Sequence, residues 1–349
     1  MGTLRHDRGI QVTIQPRGYQ IAMVRGWYQA VRAGSLRHVT QMCPGAGKTL
    51  VAYLCARDVV SKGRPFWFFA PRRGLVTQPV EKFAQYGGLP DVQTVMAGHA
   101  YDLSRPGVRV ASIDTLIERG IQLEHNAVCV IDECHMEKLA PVMETQPATV
   151  TWHGLTGTPV FKRGTWTSME CGPQPSALVA MGALSEHESV VPEEDTAALE
   201  AGAIIGNPVE WWHRHAAGLR TLAFCRNKRE ARAHAAHFPS RAAVLTCDDP
   251  DHVRTATLAR LEARELDVVC NVGLYQEGTD IPWLECLHDL APTNSVAAHI
   301  QRSARLWRVG GSAKMHLDQA GNFWRHGPPQ VDRTWSLTGP NGVPVRVAG

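Results

Sequence analysis

Five short runs in the first half of the chain, HVTQMC, PFWFFA, VRVAS, AVCVID and VTWHGLT, are largely apolar along their length, and several lead into a helix-like stretch. A strand without polar alternation is covered on both faces, which selects a parallel sheet held between helices. The pattern returns in the second half with TLAFC, AAVLT, LDVVCN, LECLHDL and AKMHLD, interleaved with NKREARAHAAHF, PDHVRTATLARLEA and SVAAHIQRSARLWR. Two α/β units are therefore expected. A chain of 349 residues outgrows one ordinary core and suits two of about 150 residues with a connection and a tail. The boundaries expected are 1–165, a connection over 166–218 that is richer in Gly, Pro and acids, 219–325, and a Pro/Gly-rich tail over 326–349.

Charge says little about partners: 36 Lys and Arg stand against 33 Asp and Glu, so any basic surface is local. The nine cysteines are scattered without a CxxC pair, which argues against a disulfide framework and a zinc ribbon. No long apolar run or signal-peptide pattern opens the chain. A soluble protein of the reducing cytoplasm is expected, without a membrane partner.

The stretch MCPGAGKTL, residues 42–50, lies after one of the apolar runs and before a helix-like one. Gly45, Ala46 and Gly47 supply a backbone that wraps a phosphate, Lys48 reaches the β- and γ-phosphates, and Thr49 offers a hydroxyl to Mg²⁺. Met42 occupies the place where a P-loop usually has its first glycine. A P-loop needs a carboxylate partner, and VIDECH provides one. Four ligand types stand in a row there, Asp132, Glu133, Cys134 and His135. Asp132 closes an apolar run where a magnesium-ligating aspartate belongs, and Glu133 is placed to act as a base on water.

Taken in order, these segments resemble the DExH box helicases and translocases of superfamily 2. IDECH looks like the DExH box, RGYQ (Arg17 to Gln20) like the adenine-recognising element, FAPRRGLVTQ like motif Ia, and ASIDTL like the strand-contacting motif that follows. LTGTP resembles motif III with Gly157 in place of the usual alanine. TLAFCRN, VVCNVGLYQEGTDIP and HIQRSARLWR resemble motifs IV, V and VI, the last with Ala304 in place of the usual glycine. LDQAGNFWRHGPP and GPQPSALVAMGAL narrow the likeness to phage and bacterial DEAD/DEAH-box proteins of the XPB/UvsW/type III restriction-subunit kind.

The resemblance implies an α/β fold of two tandem RecA-like domains with an ATP cleft between them. It further implies ATP and Mg²⁺ as cofactors and ATP-driven movement on DNA, single-stranded, duplex or branched, in phage or bacterial replication, recombination or repair. A protein partner in such a complex is also implied. Gln20 would bind adenine, Thr49 and Asp132 the metal, and Gly278 and Asp280 the ribose or γ-phosphate side. Lys48, Asp132, Glu133 and the arginine fingers Arg305 and Arg308 would carry the chemistry. His135, Thr156, Thr158 and Gln301 would couple hydrolysis to the strand. Pro71, Arg72, Ser112, Thr115, Arg226, Asn271 and Thr293 would grip its backbone. Two rivals stay open: an RNA helicase, because phosphate grips discriminate sugars poorly, and an ATP-switched clamp or recruiting module that does not turn over. The histidines of WWHRH and HAAH are read as surface or core residues rather than metal ligands.

Overall fold

The computed structural model describes residues 15–104, 107–135, 139–161, 164–238, 241–274, 281–310, 314–338 and 342–344. The chain divides into two compact units, one built mainly on Gly47–Gly172 and the other on Pro173–Trp335.

The first unit holds a seven-stranded sheet. Its strands are β1 (Arg37–Gln41), β2 (Phe66–Ala70), β3 (Val92–Val95), β4 (Val108–Ser112), β5 (Val128–Asp132), β6 (Thr151–Thr156) and β7 (Ser168–Cys171), in the order β3-β4-β2-β5-β6-β1-β7. Every pairing is parallel. Its helices are α1 (Gly18–Arg32), α2 (Lys48–Ser61), α3 (Thr77–Tyr86), α4 (Ile113–Glu118) and α5 (Leu139–Thr145). β2 is buried at all five positions, because Trp67 and Phe69 face one layer of the core and Phe66 and Phe68 the other. Each such side chain contributes about 1.5–3 kcal/mol on leaving water.

The second unit holds six parallel strands, β8 (Glu188–Val190), β9 (Thr221–Cys225), β10 (Ala242–Thr246), β11 (Val268–Val272), β12 (Cys286–Leu290) and β13 (Met315–Asp318). Their order is β10-β11-β9-β12-β13-β8. The helices are α6 (Pro175–Ala180), α7 (Thr196–Ala201), α8 (Pro208–His215), α9 (Lys228–Ala235), α10 (Asp251–Glu262), α11 (Val296–Ser303) and α12 (Asn322–His326). Trp212, Phe238, Cys225 and Leu290 anchor its core. Both units have the parallel, helix-covered sheet of a RecA-like domain.

Two short strands escape the apolar pattern. β7 is mostly half-buried and pairs with β1 along one edge, which carries the first unit to Gly172. β8 adds to β13 at the edge of the second sheet. The segment 166–218 is thus divided between the two units.

All nine cysteines are free; Cys171 and Cys247 are exposed and the other seven are buried.

Candidate functional site: the P-loop and the DECH turn

Four buried residues, Val128, Cys129, Val130 and Ile131, carry β5 through the core, and Asp132 emerges at its end, half-buried. The chain then bends sharply. Glu133 has φ +49°, in the left-handed region that side chains other than glycine and asparagine rarely adopt. Such a conformation costs about 1–3 kcal/mol and persists where its surroundings over-determine it. Here Asp132 Oδ1 accepts from the Glu133 N–H at 3.1 Å, and the Cys134 N–H donates to the Leu155 carbonyl at 3.1 Å.

The bend brings the Glu133 carboxylate to Lys48 at the start of α2, with Nζ 2.9 Å from Oε1 and side chains 13% and 14% exposed. Its other oxygen, Oε2, lies 3.5 Å from both His135 Nδ1 and Thr156 Oγ1. His135 Nδ1 and Thr156 Oγ1 are 2.9 Å apart, and the Thr158 N–H donates to the same hydroxyl at 3.1 Å. With that hydroxyl donating to Glu133, His135 Nδ1 is the donor to Thr156. Lys48, Glu133, His135, Thr156 and Thr158 thus form one network. Cys134 points the other way: it is buried in the core, and burial, followed by the nearby Glu133, holds its thiol well above the usual range.

The loop before α2 needs its glycines. Gly45 and Gly47 have φ of +86° and +91°, and a Cβ on Gly47 would stand 2.3 Å from Gln20 Nε2. Gln20 is buried against this loop while its Oε1 accepts from the Arg17 N–H at 2.9 Å, so RGYQ and the loop meet. Met42, where a P-loop usually has glycine, is buried and donates its N–H to the Thr156 carbonyl at 2.9 Å. It extends the β1–β6 pairing, a role that a side chain suits.

Thr49 sits in the first turn of α2. A threonine hydroxyl and the Asp132 carboxylate are oxygen donors that suit a hard ion such as Mg²⁺ and would not select a soft transition metal. The fit lies in that donor chemistry.

The expected strand grips fare differently. Arg72 is exposed and Pro71 buried. Ser112 and Thr115 are buried and spend their groups on capping α4, with Ser112 Oγ accepting from the Thr115 N–H at 3.1 Å and the two hydroxyls 2.9 Å apart. Asn271 is buried and donates Nδ2–H to the Ala223 carbonyl at 2.9 Å. The Thr293 N–H donates to Asn322 Oδ1 at 2.8 Å. Arg226 is exposed but held by Glu230, with Nη2 to Oε1 at 2.7 Å. Gly278 and Asp280 lie outside the described residues.

Motif VI lies on and just after α11. Gln301, Arg302 and Arg305 are 5%, 6% and 8% exposed, and the Arg308 carbonyl accepts from Ser185 Oγ–H at 3.0 Å. Ala304 has φ −64° and ψ −9°, an ordinary helical conformation that alanine adopts without strain. Arg302 lies in the same motif, among the expected site residues but not one of them. Its Nη1 donates to Asp289 Oδ1 at 3.0 Å and to the Ala291 carbonyl at 2.6 Å, and Asn322 Nδ2–H donates to Asp289 Oδ2 at 2.9 Å. This lock ties α11 to the end of β12 and to α12. Burial raises the Asp289 carboxyl against the pull of Arg302; the nearby Asp318 is pushed up to about 7, by burial first and then by Asp289. The only hint in the sequence was an arginine inside a motif prized for its neighbours.

Two family models match the chain. That of the type III restriction enzyme res subunit covers residues 13–161, and that of the helicase conserved C-terminal domain covers 207–310. The chain thus carries the two domains of a superfamily 2 helicase, the first of the restriction-subunit kind. Among curated relatives of this helicase is a "51.5 kDa protein" of Lactococcus phage (isolate 7-9), 23% identical over 323 residues, or 84% of this chain and 68% of that one. Among solved structures, a fragment of a putative HsdR subunit of a type I restriction enzyme from Vibrio vulnificus YJ016 is similar with a TM-score of 0.68 and 18% identity, over 91% of the helicase and 66% of the fragment. The type ISP restriction-modification enzyme LlaBIII bound to DNA gives 0.66 and 14%, over 87% of this chain and 28% of that one. Dbp5 of S. cerevisiae bound to RNA and ADP BeF3 gives 0.58 and 13%, over 88% and 90%. These likenesses establish the fold. As a helicase of these families the protein is a nucleic-acid-dependent ATPase, and such families use ATP with Mg²⁺. No helix among the described residues is long and apolar enough to cross a membrane.

Proposed function

We propose that this helicase is a DNA motor, coupling ATP hydrolysis to movement along DNA or separation of its strands. The observation that carries the catalytic half is the strained Glu133 held 2.9 Å from Lys48. A γ-phosphate drawn to Lys48 competes with Glu133 for the ammonium, freeing a carboxylate to orient and deprotonate the attacking water. Thr49 and Asp132 would hold Mg²⁺, which supplies charge neutralisation on the phosphates. Thr156 and His135, bonded to each other and close to Glu133 Oε2, sense its release. Arg305 and Arg308 are the proposed arginine fingers. The DNA half is supported by the restriction-subunit match and by likeness to LlaBIII, itself bound to DNA. The likeness to Dbp5 bound to RNA makes RNA the rival substrate.

Steady-state ATPase rates on single-stranded, duplex and forked DNA and on RNA test both halves. Stimulation by DNA is expected, and stimulation by RNA alone overturns the DNA assignment. Glu133→Gln is expected to slow turnover by about 10²–10⁴-fold while ATP still binds. Equal turnover in the variant removes Glu133 from the chemistry.

A further inference from the structure

The second sheet has a crevice of its own. From β9 the chain runs through α9 toward β10, on one side of the sheet order; from β12 it runs through α11 toward β13, on the other. β9 and β12 are neighbours, so the connections diverge between their C-terminal ends. Open parallel sheets bind ligands at such a switch point, outside the carboxyl ends of the strands.

A cavity of about 450 Å³ opens there, between Cys225 at the end of β9 and Leu290 at the end of β12. Its volume falls in the range of small-molecule sites, roughly 300–1,000 Å³. Ile204 and Val209 add apolar wall, and His234 and Glu230 reach it from α9. Burial pulls the His234 imidazole down to about 4, so that ring is neutral near pH 7. Glu230 supplies a carboxylate, which accepts from Arg226 and, through Oε1, from Asn227 Nδ2–H at 3.0 Å.

Arg226 is the next residue after Cys225, and its exposed guanidinium grips Glu230 through both Nε and Nη2. A backbone phosphate that takes Arg226 from Glu230 therefore sits beside the cavity and leaves a carboxylate on its wall. Apolar walls and a neutral ring suit the faces of a base, and a freed carboxylate suits the exocyclic amino groups of adenine and cytosine.

We propose that this cavity receives one unstacked, amino-bearing base of the strand whose backbone Arg226 contacts. The inference rests on the nucleic-acid reading above and adds to it a base-sized site at the second switch point.

The test uses the full chain and oligonucleotides carrying 2-aminopurine at each position in turn, with an end-label whose anisotropy reports binding separately. One position is expected to brighten several-fold on binding. Ala233→Phe fills the cavity from an exposed position on α9 and is expected to abolish that rise, weaken binding about ten-fold and leave ATPase without nucleic acid unchanged. Free adenosine that quenches the rise without releasing the strand supports the same cavity. Binding without brightening at any position overturns the cavity and leaves the motor standing. Brightening that persists in Ala233→Phe places the base elsewhere and also overturns it. Failure to bind any nucleic acid overturns both.

Discussion

The C-terminal ends of the two sheets put charge to opposite uses. In the first unit Lys48 and Glu133 meet with 13% and 14% of their side chains exposed, on a backbone bent into the left-handed region. In the second, Arg302 and Asp289 meet with 7% and 0% exposed, on an ordinary helix and strand, with Ala291 and Asn322 filling further valences. A pair that solvent reaches and strain holds in place can be parted by a ligand. One sealed in the core adds little net stability against a packed apolar substitute, yet is costly to break singly. Proximity of opposite charges is therefore a poor guide to chemistry, and the backbone and exposure beneath them are better ones.

Acid should separate the units most strongly. In the second unit burial lowers His234 to about 4 and both His288 and His299 to about 3. Burial likewise lowers His187 to about 4 and His316 well below the ordinary imidazole range. Between about pH 6 and pH 4 the unfolded chain binds protons that these imidazoles refuse when folded. Asp318, at about 7 when folded, works in the opposite direction and returns one. The imidazoles outnumber the raised carboxyls, so stability falls as pH falls through this range. Hydrogen exchange followed peptide by peptide is expected to show the second unit opening first below pH 6. Simultaneous opening, or opening of the first unit ahead of it, breaks the contrast.

Arg302→Ala strands Asp289 in the core and is expected to cost about 3–5 kcal/mol, with lost protection confined to peptides of the second unit. If Arg302→Ala lowers turnover without lowering protection, Arg302 belongs with the chemistry and the comparison fails there. The smallest effect is expected in the first unit. Gly154→Ala would set a Cβ 2.5 Å from Cys134 Sγ and 2.8 Å from Trp166, an overpacking worth about 1–3 kcal/mol. The crowding falls on the turn that carries Glu133, so a drop in turnover out of proportion to the stability loss would sharpen the link between strain and chemistry.

The central strands were legible because they are apolar at nearly every position, as PFWFFA and VCVID are. The edges were not: SMEC, at Ser168–Cys171, joins the sheet through its backbone with half-buried side chains, and nothing in its residues announces a strand. The P-loop and DECH segments could be read because phosphate chemistry imposes residue type and spacing together. Arg302, Asp289 and Asn322 are brought together by folding alone, and no spacing marks them. Ser112 and Thr115, expected as grips from their motif, also have their hydroxyls engaged in a helix cap, a use that no spacing announces.

The distribution of thiols makes the unmodified chain ready for spectroscopy. Burial raises the Cys55 and Cys129 thiols and pushes Cys286 up to about 12, and the neighbouring Cys225, followed by burial, raises Cys270, so they stay protonated and unreactive. Each unit keeps one exposed thiol, Cys171 in the first and Cys247 in the second. Partial burial and Glu170 raise Cys171, so coupling of a maleimide dye there quickens at higher pH, and two colours can be placed on Cys171 and Cys247. Energy transfer between the two dyes then reports the distance between units during turnover, without a single engineered cysteine.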